Sequence, residues 1–330
     1  MAALPRVAVI DDTQRLAGAS ADWDALAGRA DIVVFDESFA DEDDAAQRLA
    51  EFDAIVPMRE RTAFPASLVR RLPKLRLLAM TGTRAPTFDI AALTAQGVLV
   101  CNTGINTSAA TAELAFGLIL ACARDIPLAD RTMRSGGWHE GVPVGTVLDG
   151  KRLGILGLGK LGARVAGYGR AFGMEVVAWS QNLTDEAAAK GGARRVDKAE
   201  LFGTSDILSV HLVLSDRTRG IVGAAELGAM RDGAILVNTS RGPLVDEAAL
   251  LAALESGRIR AGLDVYDREP LPADHPLRTA PNVVLTPHLG YGARHVFEQF
   301  YRESVENIAA WLDDQPIRVV NPEVLATKAG

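Results

Sequence analysis

Four apolar residues, Leu153 to Leu156, run straight into Gly157-Leu158-Gly159-Lys160-Leu161-Gly162. A helix-compatible stretch, Ala163 to Ala171, follows, and then a second apolar run, Glu175 to Trp179. No other feature constrains the fold of this chain as tightly. In such a loop the first glycine permits a tight turn, the second lets backbone approach a bound pyrophosphate, and the third lets the helix pack closely on the sheet. The helix N-terminus directs unpaired N–H groups and the positive end of its dipole at the loop, which favours phosphate. Strand, turn, helix and strand in this order predict a dinucleotide-binding Rossmann domain.

The ribose position departs from the usual pattern. An NAD site ordinarily has an acidic residue about 20 residues beyond the loop, where it receives the ribose hydroxyls. Here Ser180 stands at the end of the second strand, followed by Gln181 and Asn182. A missing carboxylate removes repulsion against a 2′-phosphate, yet no adjacent Arg or Lys attracts one. The expected cofactor is NAD or NADP, with a slight preference for NAD. Candidate cofactor-binding residues are Gly157, Gly159, Lys160, Leu161, Ser180, Thr239 and His211, the last ending a strand on the cofactor side.

Short Val- and Ile-rich runs alternate with longer Ala-, Leu- and charge-rich stretches along the rest of the chain. Val7 to Ile10, Asp31 to Phe35, Ala54 to Pro57, Leu75 to Met80 and Val98 to Cys101 read as strands, with helical spacers such as Asp41 to Glu51. This is the rhythm of a parallel sheet. It stops near Cys101, where Thr107 to Ala123 reads as one Ala-rich helix, followed by an irregular stretch containing Gly136, Gly137, Trp138, Gly141 and Pro143. A second series comprises Arg152 to Leu156, Glu175 to Trp179, Ile207 to His211, Ala234 to Asn238, Gly262 to Val265 and Val283 to Thr286. Arg294 to Leu312 has the period of an amphipathic helix, and Arg318 to Asn321 reads as a short apolar strand; both are expected to pack back on the first series. A chain of 330 residues fits about two domains. The expected fold is α/β, with two doubly wound parallel-sheet domains: a Rossmann cofactor domain inserted in a flavodoxin-like substrate domain. The substrate domain would be discontinuous, residues 1–103 and 294–330, the cofactor domain would span 104–293, and a cleft would separate them.

Three chemically complementary residues follow three strands of the second series. Arg241 follows Val237-Asn238-Thr239-Ser240, Glu269 follows Asp264-Val265-Tyr266-Asp267-Arg268, and His288 follows Thr286-Pro287. Ligands of doubly wound sheets bind at the carboxyl ends of the strands. Moving a hydride to or from a hydroxy acid needs a group that exchanges a proton near neutral pH, which His does best. It needs an anchor for the substrate carboxylate, which Arg supplies in bidentate geometry. It also needs a carboxylate to orient the imidazole and stabilise its charged form.

With these residues in view, the chain resembles the D-isomer-specific 2-hydroxyacid dehydrogenase family. The resemblance rests on Gly150-Lys151 through Gly162, Val237 to Gly242, Gly262 to Leu271 and Thr286 to Gly290, with weaker matches at Thr81-Gly82-Thr83 and Ala110-Thr111-Ala112-Glu113. It covers nearly the whole chain. The resemblance implies a small 2-keto or 2-hydroxy acid substrate, with Arg241 as carboxylate anchor, Glu269 as partner of the imidazole and His288 as acid/base. It also implies that Asp264 meets the nicotinamide carboxamide, that the backbone amides of Gly82 and Thr83 help bind the substrate carboxylate, and that residues 104–149 form the contact of a homodimer. Val213 departs from the proline common two residues after His211. Arg84-Ala85-Pro86-Thr87-Phe88-Asp89 replaces a common Asn-Ile-Asp, which makes Arg84 a candidate substrate-binding residue. Arg59 and Arg61 follow a first-domain strand and are candidates for the same cleft, whereas His139, His275 and His295 read as surface or structural residues. The alternative within this fold is a dinucleotide-sensing corepressor-like binding protein.

Composition narrows the remaining classes. A formal net charge of -7 without a Lys/Arg run disfavours nucleic acid as a partner. Cys101 and Cys122 lie in apolar segments and read as buried reduced thiols, no metal-ligand cluster is evident, and neither a targeting segment nor a membrane span is expected. These features predict a cytoplasmic location.

Overall fold

The computed structural model describes residues 3–83, 85–104 and 108–328. The chain divides into two units, Met1–Asn106 with Ala293–Gly330, and Thr107–Gly292.

The first unit is built on five short strands: β1 (Arg6–Val9), β2 (Asp31–Val34), β3 (Ala54–Val56), β4 (Leu77–Met80) and β5 (Leu99–Asn102). All pair in parallel in the order β2-β1-β3-β4-β5, the flavodoxin-like order. Every residue of β3 and β4 is buried, as expected of strands covered on both faces. Helix Glu42–Leu49 begins where Asp41 accepts a hydrogen bond from the Asp44 amide, and three acidic residues in its first turn suit the helix dipole. The long helix Arg294–Leu312 packs against β4 and buries Phe297, Phe300, Tyr301, Ile308 and Trp311. Asn307 donates to the Asn102 carbonyl at the end of β5. The strand expected at Arg318 to Asn321 does not form. Arg318 has a left-handed backbone (φ 52°), which breaks an extended run, and only one antiparallel bridge remains, between Cys101 and Val319.

The second unit carries β6 (Arg152–Leu156), β7 (Glu175–Trp179), β8 (Arg194–Arg195), β9 (Ile207–Val210), β10 (Ile235–Asn238), β11 (Arg260–Leu263) and β12 (Val283–Leu285). The order is β12-β11-β10-β9-β6-β7-β8, again all parallel. The strand order therefore runs outward one way from β6 and the other way from β9, and their junction is the switch point at which a Rossmann sheet opens a crevice for a dinucleotide. Apolar clusters lie on both faces, one around Leu208, Leu236, Leu250 and Leu263, the other around Ile119, Ile155, Val165 and Val237. Helix Ser108–Arg124 packs on β10, β11 and helix Lys160–Ala171. A further helix, Ile126–Arg134, occupies part of a stretch the sequence marked as irregular. Asp125 separates the two helices with a left-handed backbone and pairs with Arg260. Among the described residues no helix is long and apolar enough to cross a membrane.

Candidate active site

The glycine loop closes β6 at the switch point. Gly157 has φ 101°, a conformation open to glycine and few other residues, and its amide donates to the Trp179 carbonyl. A side chain on Gly157 would strike the His211 carbonyl and the Leu212 amide at 2.8–2.9 Å, so the loops after β6 and β9 touch here. A side chain on Gly162 would fall 2.3 Å from the Gly157 carbonyl oxygen. Gly159, the N-cap of helix Lys160–Ala171, faces open space instead, with nothing within 4 Å. The helix that carries Lys160 and Leu161 thus opens its N-terminus onto clear volume.

Two polar atoms beside this crevice are buried without a hydrogen-bond partner: Nδ1 of His211 and Oγ1 of Thr239. The other ring nitrogen of His211 bonds the Ser209 hydroxyl, and burial pushes its pKa down to about 3, so the ring stays neutral. Orphaned groups of this kind are costly unless a ligand meets them. Together with the glycine cradle they fit a dinucleotide. Ser180 directly follows β7 and brings no carboxylate to the end of that strand.

The carboxyl ends of β10, β11 and β12 bring the three chemistry-bearing residues into one unit. Asn238 anchors the first loop: its Nδ2 donates to the Arg241 carbonyl and its Oδ1 accepts from the Ser240 amide. The Arg241 guanidinium donates to the Ser240 carbonyl. The next residue, Gly242, lies against the Tyr266–Asp267 peptide, which locks this loop to the loop that bears Glu269.

Glu269 uses both carboxylate oxygens. Oε1 accepts from the Tyr266 amide at 2.9 Å, and Oε2 meets His288 Nδ1 at 2.5 Å. Burial is the largest influence on this carboxyl and opposes its charge. The hydrogen bond and charge of His288, the Tyr266 amide and the charge of Arg241 together outweigh it, and the carboxyl lies below its ordinary value. With Nδ1 committed to Glu269, Nε2 is the ring nitrogen left to exchange a proton.

His288 is held in a left-handed backbone, φ 53°. Its amide donates to the carbonyls of Asp264 and Thr286. The Asp264 side chain, fully buried, then accepts from the Thr286 hydroxyl (2.6 Å) and from the amides of Leu289 and Gly290 (both 2.8 Å). Desolvation raises its pKa against these bonds. In this structure Asp264 organises the histidine loop, and sequence reasoning gave it only a cofactor contact. Two supporting groups escaped the sequence reading: Tyr266, whose hydroxyl donates to the Thr286 carbonyl, and Thr111, whose hydroxyl donates to the Gly290 carbonyl. Thr111 was visible only as part of a weak motif.

Gly82 and Thr83 lie in the first unit, after β4. The Gly82 amide donates to the Thr103 hydroxyl at 2.7 Å, within its own unit. The Arg59 guanidinium lies where a Gly82 side chain would be. Arg84 is outside the described residues. His275 pairs with Glu247.

Comparison with known proteins agrees with this geometry. The model for the D-isomer specific 2-hydroxyacid dehydrogenase, NAD binding domain, matches residues 116–290. A glyoxylate reductase of Aeropyrum pernix is 40% identical over 270 residues, 79% of this chain and 81% of that protein. A D-3-phosphoglycerate dehydrogenase of Archaeoglobus fulgidus is 35% identical over 82% of this chain, which spans only 52% of that longer protein. The crystal structure of a phosphoglycerate oxidoreductase from Vibrio cholerae O395 superposes with a TM-score of 0.89 at 36% identity, covering 94% of this chain and all of the other. The chain belongs to the D-isomer specific 2-hydroxyacid dehydrogenase family and is an NAD- or NADP-dependent oxidoreductase.

Proposed function

We propose that this enzyme reduces a small 2-keto acid to the D-2-hydroxy acid, with His288 as proton donor, Arg241 as carboxylate anchor and Glu269 as the partner of the imidazole. The observation that carries the reading is the 2.5 Å contact of Glu269 Oε2 with His288 Nδ1. It fixes the ring's tautomer and orientation and leaves Nε2 to deliver the proton to the keto oxygen. The reduced dinucleotide, when bound over the glycine loop, supplies the hydride. Arg241 presents a planar fork suited to a carboxylate. The loops of the first unit around Met58 to Arg61 and Thr81 to Arg84 are assigned to reading the rest of the substrate. The names of the relatives, glyoxylate reductase and phosphoglycerate dehydrogenase, support a short 2-keto acid of the glyoxylate or hydroxypyruvate type. Purified protein assayed with glyoxylate, hydroxypyruvate and pyruvate, each with NADH and NADPH, is expected to turn over at least one pair. Absence of cofactor oxidation with every pair would overturn the assignment.

The same reading includes a homodimer formed through residues 104–149. It is supported by exposed apolar side chains at Ile126, Met133, Trp138, Val144 and Val147, an apolar surface of the kind that protein interfaces cover. Light scattering is expected to give twice the mass of the chain, and a monomer would refute it. The two buried free cysteines support a reducing, cytoplasmic setting.

A further inference from the structure

The loop that carries His288 is held in a conformation it would not adopt alone. His288 has φ 53°, and a residue with a bulky side chain keeps such a left-handed backbone only where its surroundings enforce it. Part of that enforcement comes from the end of β11. The His288 amide meets the Asp264 carbonyl at 2.9 Å, and the amides of Leu289 and Gly290 donate to the Asp264 carboxylate, both at 2.8 Å. These bonds hold the amides of residues 288–290. The Gly290 carbonyl is held from a different element: it accepts from the Thr111 hydroxyl at 2.8 Å. A side chain on Gly290 would lie 3.1 Å from Thr111 Cγ2 and 3.2 Å from Asp264 Oδ2, so both groups press close to this residue.

Thr111 reaches the loop from a rigid platform, and every group involved belongs to the second unit. It lies on helix Ser108–Arg124, which packs on β10, β11 and helix Lys160–Ala171. Ala115, Leu118 and Cys122 follow it by four, seven and eleven residues, which puts all four on one helix face. That face meets β11 at a glycine: a side chain on Gly262 would lie 3.0 Å from Leu118 Cβ and 3.3 Å from Cys122 Sγ. β11 runs directly into Asp264. Thr111 and Asp264 are therefore mounted on two elements pressed together, and the histidine loop is clamped by both.

Packing alone does not call for a hydroxyl here. Thr111 is buried on a face otherwise formed by Ala115, Leu118 and Cys122, where valine would have nearly the same shape without burying a polar group. The bond to Gly290 is what the hydroxyl adds. Gly290 has no side chain to restrict its backbone, so the carbonyl stays in place only through what it bonds. We propose that Thr111 is a positioning residue for proton transfer: its hydroxyl fixes the Gly290 carbonyl and thereby holds the His288 ring where Nδ1 meets Glu269 and Nε2 faces the keto oxygen. This rests on the reading of His288 as the acid/base. Thr111 itself transfers nothing; it acts through the backbone of the loop.

Thr111→Val keeps the shape of the side chain and removes only the donor. The Asp264 bonds remain, so the loop should loosen without collapsing. The single-turnover rate of NADH oxidation at saturating keto acid, which excludes product release, should fall roughly tenfold, the scale of one hydrogen bond. KM for keto acid and the Kd for NADH should change little, because the loss falls on the proton donor and not on binding. Thr111→Ser restores a hydroxyl at the same position and should recover most of the rate. Hydrogen exchange of residues 288–292 in the free enzyme reads the hold without any substrate. Protection there should fall in the valine variant and return in the serine variant, while that of β9 and β10 stays as in the wild type.

A wild-type single-turnover rate in Thr111→Val would overturn the proposal. So would a serine variant as slow as the valine one, since the loss would then come from packing and not from the hydroxyl. A lower melting temperature with an unchanged rate would mark Thr111 as merely structural. Unchanged exchange at residues 288–292 overturns the proposal whatever the kinetics. If the wild type turns over no keto acid, the acid/base reading fails by itself, and the exchange alone then decides whether Thr111 holds the loop.

Discussion

Replacing Gly242 by Ala adds one methyl where the structure has no room. The new carbon would lie 2.1 Å from the Tyr266 carbonyl carbon, 2.3 Å from its oxygen and 2.5 Å from the Asp267 nitrogen. All three are backbone atoms, so no side-chain rotation relieves the overlap. Reaching even 3.0 Å requires the two loops to part by about 0.9 Å at their closest point. One of those loops carries Arg241 and the other carries Glu269, so the displacement falls between the carboxylate anchor and the group that orients the imidazole. Misplacement of reacting groups by about 1 Å costs on the order of 10²-fold. We expect kcat/KM for keto acid to fall about 100-fold, equivalent to about 2.7 kcal/mol of lost transition-state stabilisation. Overpacking should also lower stability by about 1–3 kcal/mol, or roughly 2–10 °C in melting temperature for a unit of this size. The glycine loop lies after a different strand, so NADH binding followed by fluorescence should change little. Steady-state rates across a keto-acid series, paired with that titration, test the reasoning. Wild-type kcat/KM in the alanine variant would show that the two loops are not locked through Gly242. Equal loss of NADH binding would show that the damage is not confined to them.

His288→Ala should lower kcat by roughly 10²-fold or more, the usual worth of general acid–base catalysis, without weakening NADH binding; near-normal kcat would remove His288 from the mechanism. Glu269→Gln removes the charge beside the imidazole. Glu269 lies below its ordinary value, so it is ionised across the neutral and alkaline range and the loss should appear there. kcat/KM for reduction should fall about tenfold at neutral and alkaline pH, the low end for a charged hydrogen bond because both side chains are about one-third exposed. Activity at acid pH should survive, and a profile that overlays the wild type would dissociate the pair. Ser180→Asp should shift cofactor preference toward NADH, read as the ratio of NADH to NADPH dissociation constants, because a carboxylate there accepts ribose hydroxyls and repels a 2′-phosphate; an unchanged ratio would mean that Ser180 does not reach the ribose.

What the sequence disclosed and what it hid have physical reasons. The segment from Arg152 to Trp179 was readable because a short apolar run, a glycine turn and a helix-compatible stretch follow one another in local composition. The helix Arg294–Leu312 was readable to the residue because its apolar period is unbroken. Arg318 defeated the same logic, since a left-handed backbone inside a Val-rich run leaves no mark on the pattern. Helix Ile126–Arg134 was missed because none of its side chains is buried, so it shows no core-facing stripe interpretable as packing. At the active site, residue types at strand ends pointed to Arg241, Glu269 and His288. The bonds that set their geometry, such as Tyr266 and Thr286 around Asp264 and Glu269, depend on tertiary contacts that spacing cannot encode.

The hydrogen bond between Thr111 and the Gly290 carbonyl also bears on how the chain assembles itself. The first unit is made from two distant segments, and β5 is completed by contacts from Asn307 and Asn321, more than 200 positions away. Joining such segments through an unfolded loop is entropically slow, and the cost grows with loop length. The second unit is contiguous, needs nothing from either segment to finish its sheet, and clasps its own entry and exit through Thr111 and Gly290 at 2.8 Å. Once folded, it converts the long intervening loop into a short staple whose two ends emerge side by side. In chain order the whole inserted unit precedes Arg294–Leu312, which belongs to the first unit. The connectivity thus lets the contiguous insert shorten the effective loop between the two segments of the unit that surrounds it in sequence.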